Sequence, residues 1–284
     1  MIDFRNVTKT FGNDIIALNE VSFQVEPGEF LFITGPSGAG KTTVGRLLIR
    51  EFAPTSGEIT VGEYDLAKLT GRDIPFYRRQ VGFVFQDFKL LPDRTVAENI
   101  ELSLEILDKT SEEIREKVAR VLELVNLSGK DNLFPSQLSG GEVQRTVIAR
   151  AVAAEPPLIF ADEPTGNLDA ETGWQITELL EKINQRGTTV IMATHNQGII
   201  GAAKKRVIKL EGGRVVVDTK EEKQEALRQS SGQARIKNQE KFEKEGEKER
   251  EENSEGDDRE KKHEKEHKGK HHQKKKAVEV EKVE

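Results

Sequence analysis

The chain has 284 residues, a net charge of −6 and no cysteine. The acidic balance argues against a nucleic-acid-binding protein, and the lack of cysteine excludes a disulfide framework or a thiolate metal site and fits a reducing compartment. No apolar run reaches the roughly 18 to 20 residues that span a bilayer, and residues 1–5 lack the features of a secretory signal. We therefore expect a soluble, cytosolic protein that a partner can hold at a membrane.

The composition changes sharply near residue 218. Residues 1–218 have the apolar spacing of a globular domain, whereas Lys, Glu, Arg and Gln dominate residues 219–284. Such a segment buries too little apolar surface to offset its ordering entropy, so we expect a disordered tail. Its basic block fits a solvated charge run or an anionic membrane surface. Histidines at helical spacing also leave a divalent metal site open; these are His263, His267, His271 and His272.

The first elements in chain order are strands. Residues 2–7 and 21–25 alternate in the manner of strands, and Pro27-Gly28 predicts a turn. Residues 30–33 are an unbroken apolar run, which indicates a strand buried on both faces of a largely parallel sheet.

A phosphate loop of the form G-x-x-x-x-G-K-T follows that strand and opens a predicted helix at residues 42–52. Its glycines let backbone N–H groups surround phosphate oxygens, Lys41 can neutralise the β- and γ-phosphates, and the Thr42 hydroxyl can bind Mg²⁺. The alternative, a glycine-rich turn before a helix, does not explain why every fixed position of the motif is matched. The predicted nucleotide-binding residues of this segment are Gly35, Pro36, Ser37, Gly38, Ala39, Gly40, Lys41, Thr42 and Thr43.

A helical region separates two parts of the predicted sheet. A strand at residues 81–85 leads to Gln86, and helical periodicity then runs between residues 95 and 144. We expect an inserted helical lobe at about residues 87–154. The segments that return to an α/β pattern are a strand at 158–161, a helix with Ile176, Leu179, Leu180 and Ile183 on one face, a strand at 189–193, and closing strands at 207–210 and 215–217.

Two further segments carry candidate chemistry. Asp162 and Glu163 follow a buried strand; such a pair can be solvated loop residues, but the setting favours Asp162 as a Mg²⁺ ligand through water and Glu163 as a general base. Ser139-Gly140-Gly141 opens a helix with a hydroxyl N-cap and two amides free of side chains. On its own this segment would be an ordinary helix cap, but its place ahead of Glu142, Gln144 and Arg145 argues otherwise.

Together, the phosphate loop and the segment Leu-Ser-Gly-Gly-Glu-Val-Gln at residues 138–144 make residues 1–218 resemble the nucleotide-binding domain of an ATP-binding cassette (ABC) protein. The resemblance implies an α/β fold with a RecA-like parallel-sheet core, an N-terminal antiparallel β subdomain and an inserted helical lobe. It also implies an ATPase with ATP and Mg²⁺ as ligands. Two copies would form a homodimer around two ATP molecules, each held by the phosphate loop of one copy and by Ser139, Gly140 and Gly141 of the other.

The resemblance assigns roles to four more residues. Phe11 falls where the family stacks an aromatic ring on adenine, and it replaces the commoner Tyr, which keeps the stacking face. Gln86 matches the residue that senses Mg²⁺ and the membrane partner, Asp169 a contact across the dimer, and His195 the residue that contacts the γ-phosphate.

Residues 86–99 are similar to the FtsE family of cell-division ATPases, which pair with an integral membrane permease, FtsX. This implies a peripheral protein at the cytoplasmic face of the membrane that turns ATP-driven closure into force controlling cell-wall hydrolases. We expect a groove from Gln86 to Glu98, including Phe88 and Leu91, to accept a cytosolic helix of that partner.

Two alternatives stay open at this stage: the ATPase subunit of a lipoprotein, lipid or drug exporter, and a nucleotide-binding division scaffold acting through its tail. DNA-repair cassettes, with long coiled coils before the signature, and translation-factor cassettes, with two phosphate loops, fit less well.

Overall fold

The computed structural model describes residues 1–12, 14–107 and 109–220, which contain ten strands and seven α-helices. The predicted tail lies, from residue 221 on, outside these residues. The strands are β1 (Ile2–Phe11), β2 (Ile15–Val25), β3 (Phe30–Thr34), β4 (Ser56–Val61), β5 (Tyr64–Asp65), β6 (Val81–Val84), β7 (Leu158–Asp162), β8 (Thr189–Ala193), β9 (Arg206–Glu211) and β10 (Arg214–Asp218). The helices are α1 (Lys41–Leu48), α2 (Ile74–Arg78), α3 (Val96–Glu105), α4 (Ser111–Leu124), α5 (Gly140–Val152), α6 (Ala170–Asn184) and α7 (Gln197–Ala203).

The larger sheet has six strands in the order β10-β9-β3-β8-β7-β6, and only β10 is antiparallel to its neighbour. Every residue of β3, β7 and β8 is buried, as the apolar runs predicted. Because these strands are parallel, the loops at their carboxyl ends meet at one edge of the sheet. That edge receives the phosphate loop after β3, Gln86 after β6, Glu163 after β7 and His195 after β8.

The smaller sheet is antiparallel, with the order β2-β1-β4-β5, and it confirms the predicted N-terminal β subdomain. Its first two strands are longer than predicted: β1 extends past Val7 to Phe11, and β2 begins at Ile15. Lys9 pairs with Leu18 and Phe11 with Ile15. The two strands therefore include polar residues, held by cross-strand pairing, that the apolar pattern had left out of the predicted strands.

The helix after the phosphate loop ends at Leu48, four residues before the predicted end. Val44, Leu47 and Leu48 are buried as expected. The hydroxyl of Tyr77 donates a hydrogen bond to the Leu48 carbonyl, and Nε of Arg78 donates to the Ile49 carbonyl at 2.9 Å. Side chains of α2 thus satisfy carbonyls that a longer helix would have used, which ends α1 here.

The helical lobe is confirmed as three helices, α3, α4 and α5, two of which begin with capping boxes. Thr95 and Glu98 cap α3, and Thr110 and Glu113 cap α4. Buried residues of α3, α4 and α5 pack in one cluster with residues of β3, β7 and β8, so the lobe shares the core of the sheet. None of the described helices is long and apolar enough to cross a membrane.

Candidate active site

A cavity of about 430 Å³ lies at the carboxyl edge of the parallel sheet, where the phosphate loop meets the loops after β6, β7 and β8. Three separate sequence predictions meet in it, since Gln86, Glu163 and His195 all face the loop. Of the nine predicted phosphate-loop residues, Gly35 alone is absent from the lining. The lining residues are Pro36, Ser37, Gly38, Ala39, Gly40, Lys41, Thr42, Thr43, Gln86, Glu163, Gly166 and His195.

Two glycines of the loop are required by close contacts as well as by backbone conformation. Gly35 has φ +153°, and a Cβ there would lie 2.2 Å from the Leu210 carbonyl oxygen. Gly40, the N-cap of α1, has φ +104°, and its Cβ would lie 2.6 Å from Cδ2 of Leu18. The loop therefore nests against β2 and β9 and presents the first N–H groups of α1 to the cavity, which suits an anion.

Lys41 is buried and folds back into the phosphate loop. Its Nζ donates to the carbonyls of Gly35 at 2.9 Å and Pro36 at 3.2 Å, and it lies 3.5 Å from Oε1 of Glu163. These contacts hold an ammonium group at the cavity wall, where it can attract phosphate oxygens.

Glu163 holds a strained position between two functional side chains. Its φ is +47°, in the left-handed region, and its N–H donates to the Ala193 carbonyl at 2.9 Å. Its Oε2 lies 2.9 Å from Nδ1 of His195, which is 68% exposed, whereas the carboxylate side chain is only 10% exposed. Left-handed backbone at a non-glycine residue is costly and often found at functional sites.

Asp162 lies outside the cavity lining but forms a second polar pair with Thr42, which lines it. The Thr42 hydroxyl donates to Oδ1 of Asp162 at 3.2 Å, and burial raises the pKa of the Asp162 carboxyl. Hard oxygen donors of this kind suit Mg²⁺, which often takes one protein carboxylate and completes its shell with phosphate oxygens and water. Within the described ranges, no cluster of three or more His, Asp or Glu side chains forms a preassembled metal cage.

The signature segment lies outside the cavity. Ser139 and Gly140 are exposed at the start of α5. The Glu142 carboxylate accepts the Ser139 N–H at 2.8 Å and pairs with Lys130, whose hydrogen bond lowers the pKa of Glu142 to about 2. The ion pair of Glu142 and Lys130 thus fixes the start of α5. Ser139, Gly140 and Gly141 stay available to a ligand from outside this copy of the chain.

Phe11 and Asp169 also lie outside the cavity lining. Asp169 caps α6, accepting the Thr172 N–H at 2.9 Å and the Thr172 hydroxyl at 2.6 Å. These hydrogen bonds, the hydroxyl contact foremost, lower the pKa of Asp169. Phe11 ends β1 and is 39% exposed. Within one copy, the structure groups the phosphate-binding and catalytic predictions and leaves the adenine and cross-dimer predictions apart.

Sequence reasoning missed three residues around the site. Gly166 lines the cavity; its place in the Pro-Thr-Gly turn after Glu163 was the available signal. Asn99 is fully buried and bonds four times to the backbone of residues 91–95, where the loop enters α3. Arg150 of α5 donates to the carbonyls of Lys89 at 2.7 Å and Phe88 at 3.1 Å, and burial lowers the pKa of Arg150.

The described residues also form an apolar groove of about 390 Å³, and Phe88 and Leu91 do not line it. Phe88 packs against the lobe core, and Leu91 is exposed outside the groove. The reason is local: Phe88 and Lys89 both have left-handed backbone, with φ +61° and +55°, which turns the chain inward under Arg150. The residues that shape the groove are Arg78, Arg79, Phe83, Phe85, Leu102, Ile106 and Arg150.

Comparison with known proteins agrees with this geometry. The sequence model of the ABC transporter family matches residues 18–166. The cell division ATP-binding protein FtsE of Bacillus subtilis is 50% identical over 218 residues, covering 77% of this chain and 96% of the relative. FtsE of Streptococcus pneumoniae serotype 2 is 49% identical over 218 residues, covering 77% and 95%.

A solved structure gives the same result for the fold. A dimeric ATP-binding cassette in a post-hydrolysis state, bound to ADP and Pi, superposes with a TM-score of 0.71 at 39% identity and covers 77% of this chain and 97% of its own. The fold of this chain thus recurs in a cassette of known structure. The chain belongs to the ABC transporter family and is an ATP-binding cassette ATPase.

Proposed function

We propose that ATP binds in the cavity over the start of α1 and that Glu163 is the general base for its hydrolysis. The observation that carries this is the place of the Glu163 carboxylate, 3.5 Å from Nζ of Lys41 and 2.9 Å from Nδ1 of His195. A carboxylate there can take a proton from water that attacks the γ-phosphate. Lys41 neutralises the phosphate oxygens, and His195 orients Glu163 and contacts the γ-phosphate.

The residues present also fit a magnesium ion. Thr42 and Asp162 supply adjacent oxygen atoms at 3.2 Å, and Gln86, whose side chain carries an amide oxygen, lines the cavity together with Thr42. Bound Mg²⁺ would neutralise charge on the β- and γ-phosphates. The raised pKa of buried Asp162 fits a carboxylate whose charge a cation would stabilise.

A second copy completes the site in this proposal. Ser139 and Gly140 are exposed at a fixed helix start, yet the cavity of the same copy is lined without them. A homodimer would bring Ser139, Gly140 and Gly141 of one copy to the γ-phosphate held by the other, with Asp169 at the contact between copies. The ADP- and Pi-bound cassette of similar fold is dimeric.

The cellular role follows from the relatives and from the groove. Relatives that are 49–50% identical are named cell division ATP-binding proteins. We propose that this chain is the corresponding ATPase, peripheral at the cytoplasmic face of the membrane, and that it drives an FtsX-like permease controlling cell-wall hydrolases. Exposed Leu102 and Ile106, with Phe83 and Phe85, offer an apolar surface for a cytosolic helix of that partner.

One mixing experiment tests the shared site. Lys41→Ala disables the phosphate loop, and Ser139→Arg blocks the signature, so each variant alone should lose ATP turnover. Mixed in equal amounts, they form some dimers in which the intact loop of one copy faces the intact signature of the other. ATPase activity should return toward one quarter of the wild-type rate, because half the dimers are mixed and each holds one intact site.

The control is a mixture of Lys41→Ala with the double variant Lys41→Ala/Ser139→Arg, in which no intact pair can form. If the first mixture stays as inactive as this control, the signature does not act across the dimer and the shared site is wrong.

A further inference from the structure

The residues around Phe11 form a compact cluster that the proposed hydrolysis does not use. The rings of Phe11 and Phe52 meet edge to face, with centroids 5.1 Å apart and an interplanar angle of 89°. The ammonium of Lys9 lies 5.0 Å from the centroid of Phe11 and 4.8 Å from that of Phe52. One cation thus contacts both rings, and an aromatic ring that is 39% exposed is held from two sides.

Hydrogen bonds join this cluster to the chain that follows α1. Lys9 Nζ donates to the Ala53 carbonyl at 2.9 Å, and the Thr10 N–H donates to the Thr55 hydroxyl at 2.9 Å. The Thr55 N–H in turn donates to the Thr8 carbonyl at 2.8 Å. Because α1 begins at the phosphate loop, these bonds set the end of β1 relative to the helix that presents the phosphate cradle.

We propose that Phe52 and Lys9 are positioning residues for the nucleotide base: they hold the Phe11 ring as a preformed platform at a fixed place relative to the phosphate loop. The inference rests on the proposed ATP site, with Phe11 stacking on adenine as the family resemblance implies. An exposed phenylalanine at a strand end would otherwise sample several rotamers, and binding would have to order it. Edge-to-face packing and the ammonium contact order it in advance.

Two ligands distinguish the contribution of the Phe11 platform to binding from that of the phosphate loop. Mg–ATP uses both, whereas inorganic tripolyphosphate with Mg²⁺ uses only the phosphate loop. Affinities of the full-length protein for each ligand would be measured by isothermal titration calorimetry. The variants are Phe52→Leu, which keeps apolar volume, Lys9→Met, which keeps the aliphatic stem, and Lys9→Arg, which restores a cation.

Phe52→Leu and Lys9→Met should each weaken Mg–ATP binding by about 3- to 10-fold, the range of one aromatic or cation–π contact. Tripolyphosphate affinity should change by less than about 2-fold, since the loop itself is untouched. Lys9→Arg should recover most of the ATP affinity. Phe76→Leu, at an exposed phenylalanine on α2, is the matched control and should change neither affinity.

Three outcomes would overturn the inference. An equal loss of affinity for both ligands would mean general damage to the fold, or that Lys9 binds phosphate directly. Normal ATP affinity in Phe52→Leu and Lys9→Met, together with a loss in Phe11→Ala, would leave the adenine contact in place and remove the positioning role. Normal ATP affinity in Phe11→Ala would instead show that the base stacks elsewhere, so the expected adenine contact would fail while the hydrolysis proposed for Glu163 would stand. Thermal melts of each variant identify any loss of folding.

Discussion

His195 and Glu163 are joined by a hydrogen bond of 2.9 Å between Nδ1 and Oε2. The two residues follow neighbouring parallel strands, β7 and β8, whose register places Asp162 beside Ala193. The Glu163 N–H donates to the Ala193 carbonyl, so backbone and side chain connect the two strand ends. The orientation of the candidate base therefore depends on the imidazole.

Replacing His195 tests that dependence. His195→Ala should lower kcat by about 10²- to 10⁴-fold, the usual contribution of a group that assists proton transfer, because Glu163 loses its orienting partner. ATP affinity should stay within a few-fold, since Lys41 and the loop are untouched. Asn196→Asp is the neighbouring control, because an Asp can still accept the Ile199 N–H that Asn196 accepts at 3.2 Å. Turnover in His195→Ala equal to that of the control would refute the orienting role.

Glu163→Gln should keep ATP binding and lower turnover by at least about 10²-fold, because the amide cannot accept the proton. With hydrolysis stalled, the ATP-bound dimer should accumulate, which size-exclusion chromatography with light scattering would show. Glu123→Gln, an exposed change on α4, should behave as the wild type. Normal hydrolysis by Glu163→Gln would require a different base.

Asp162→Asn should stabilise the nucleotide-free protein while it impairs magnesium-dependent turnover. Burial raises the pKa of Asp162, so its charged form disfavours folding. For a raised carboxyl pKa, this cost appears as pH rises from the unfolded value of 3.8 through the folded one and persists above it.

At pH 8, Tm of Asp162→Asn should therefore exceed that of the wild type, and the difference should shrink toward pH 4. Differential scanning fluorimetry of the nucleotide-free protein measures the stability, and an ATPase assay with Mg–ATP measures the turnover. A nucleotide-free variant less stable than the wild type at pH 8 would contradict this account.

Gly45 packs α1 against the sheet, and a Cβ there would lie 2.4 Å from Cε1 of Phe160. Phe160 is buried in the middle of β7 and cannot move aside freely. Gly45→Ala should therefore cost about 1 to 3 kcal/mol of unfolding free energy through overpacking, measurable by urea denaturation. Gly201→Ala is the matched control in α7, with no atom within 4 Å of the added Cβ; there the change should be neutral or stabilising.

The apolar groove predicts which surface changes separate partner binding from catalysis. Leu102→Glu places a charge at an exposed groove residue and should weaken co-purification with an FtsX-like partner while ATP affinity is unchanged. Leu91→Glu, exposed outside the groove, should leave partner binding intact. If Leu91→Glu instead weakened partner binding and Leu102→Glu did not, the docking surface would lie at Leu91, as expected from the sequence, and not at the groove.

Most of the parallel sheet was predictable because β3, β7 and β8 are short apolar runs buried on both faces. Polar residues or prolines before and after each run mark where the strand begins and ends. The longer antiparallel strands were only half predicted. Lys9 interrupts the apolar alternation and is held by its cross-strand pairing with Leu18, and the polar Glu20 interrupts it at a register shift between the two strands. The end of α1 at Leu48 depends on Tyr77, a residue 29 positions away. Such long-range contacts leave no local sequence pattern.

The site residues divide in the same way, into those that a local sequence pattern marks and those that long-range contacts place. The phosphate loop, Glu163 and His195 were predictable because each follows a strand of the parallel sheet, and such strand ends converge. That Phe88 and Leu91 lie outside the apolar groove was not predictable, since two successive left-handed residues redirect the chain. Nothing in the local sequence marks that turn, because the group that holds it, Arg150, comes from the helix of the signature segment.

The two ends of that helix, α5, therefore serve different parts of the protein: the signature segment at its start and the loop at Phe88 and Lys89 near its end. Ser139 is the N-cap of α5. Arg150, about 16 Å further along at 1.5 Å per residue, holds the loop at Phe88 and Lys89. A rigid rod of this length transmits rotation as well as displacement. Inserting or deleting a single residue inside α5 would turn its two ends by about 100° relative to each other. The spacing of eleven positions between Ser139 and Arg150 should therefore tolerate substitution far better than any change in length.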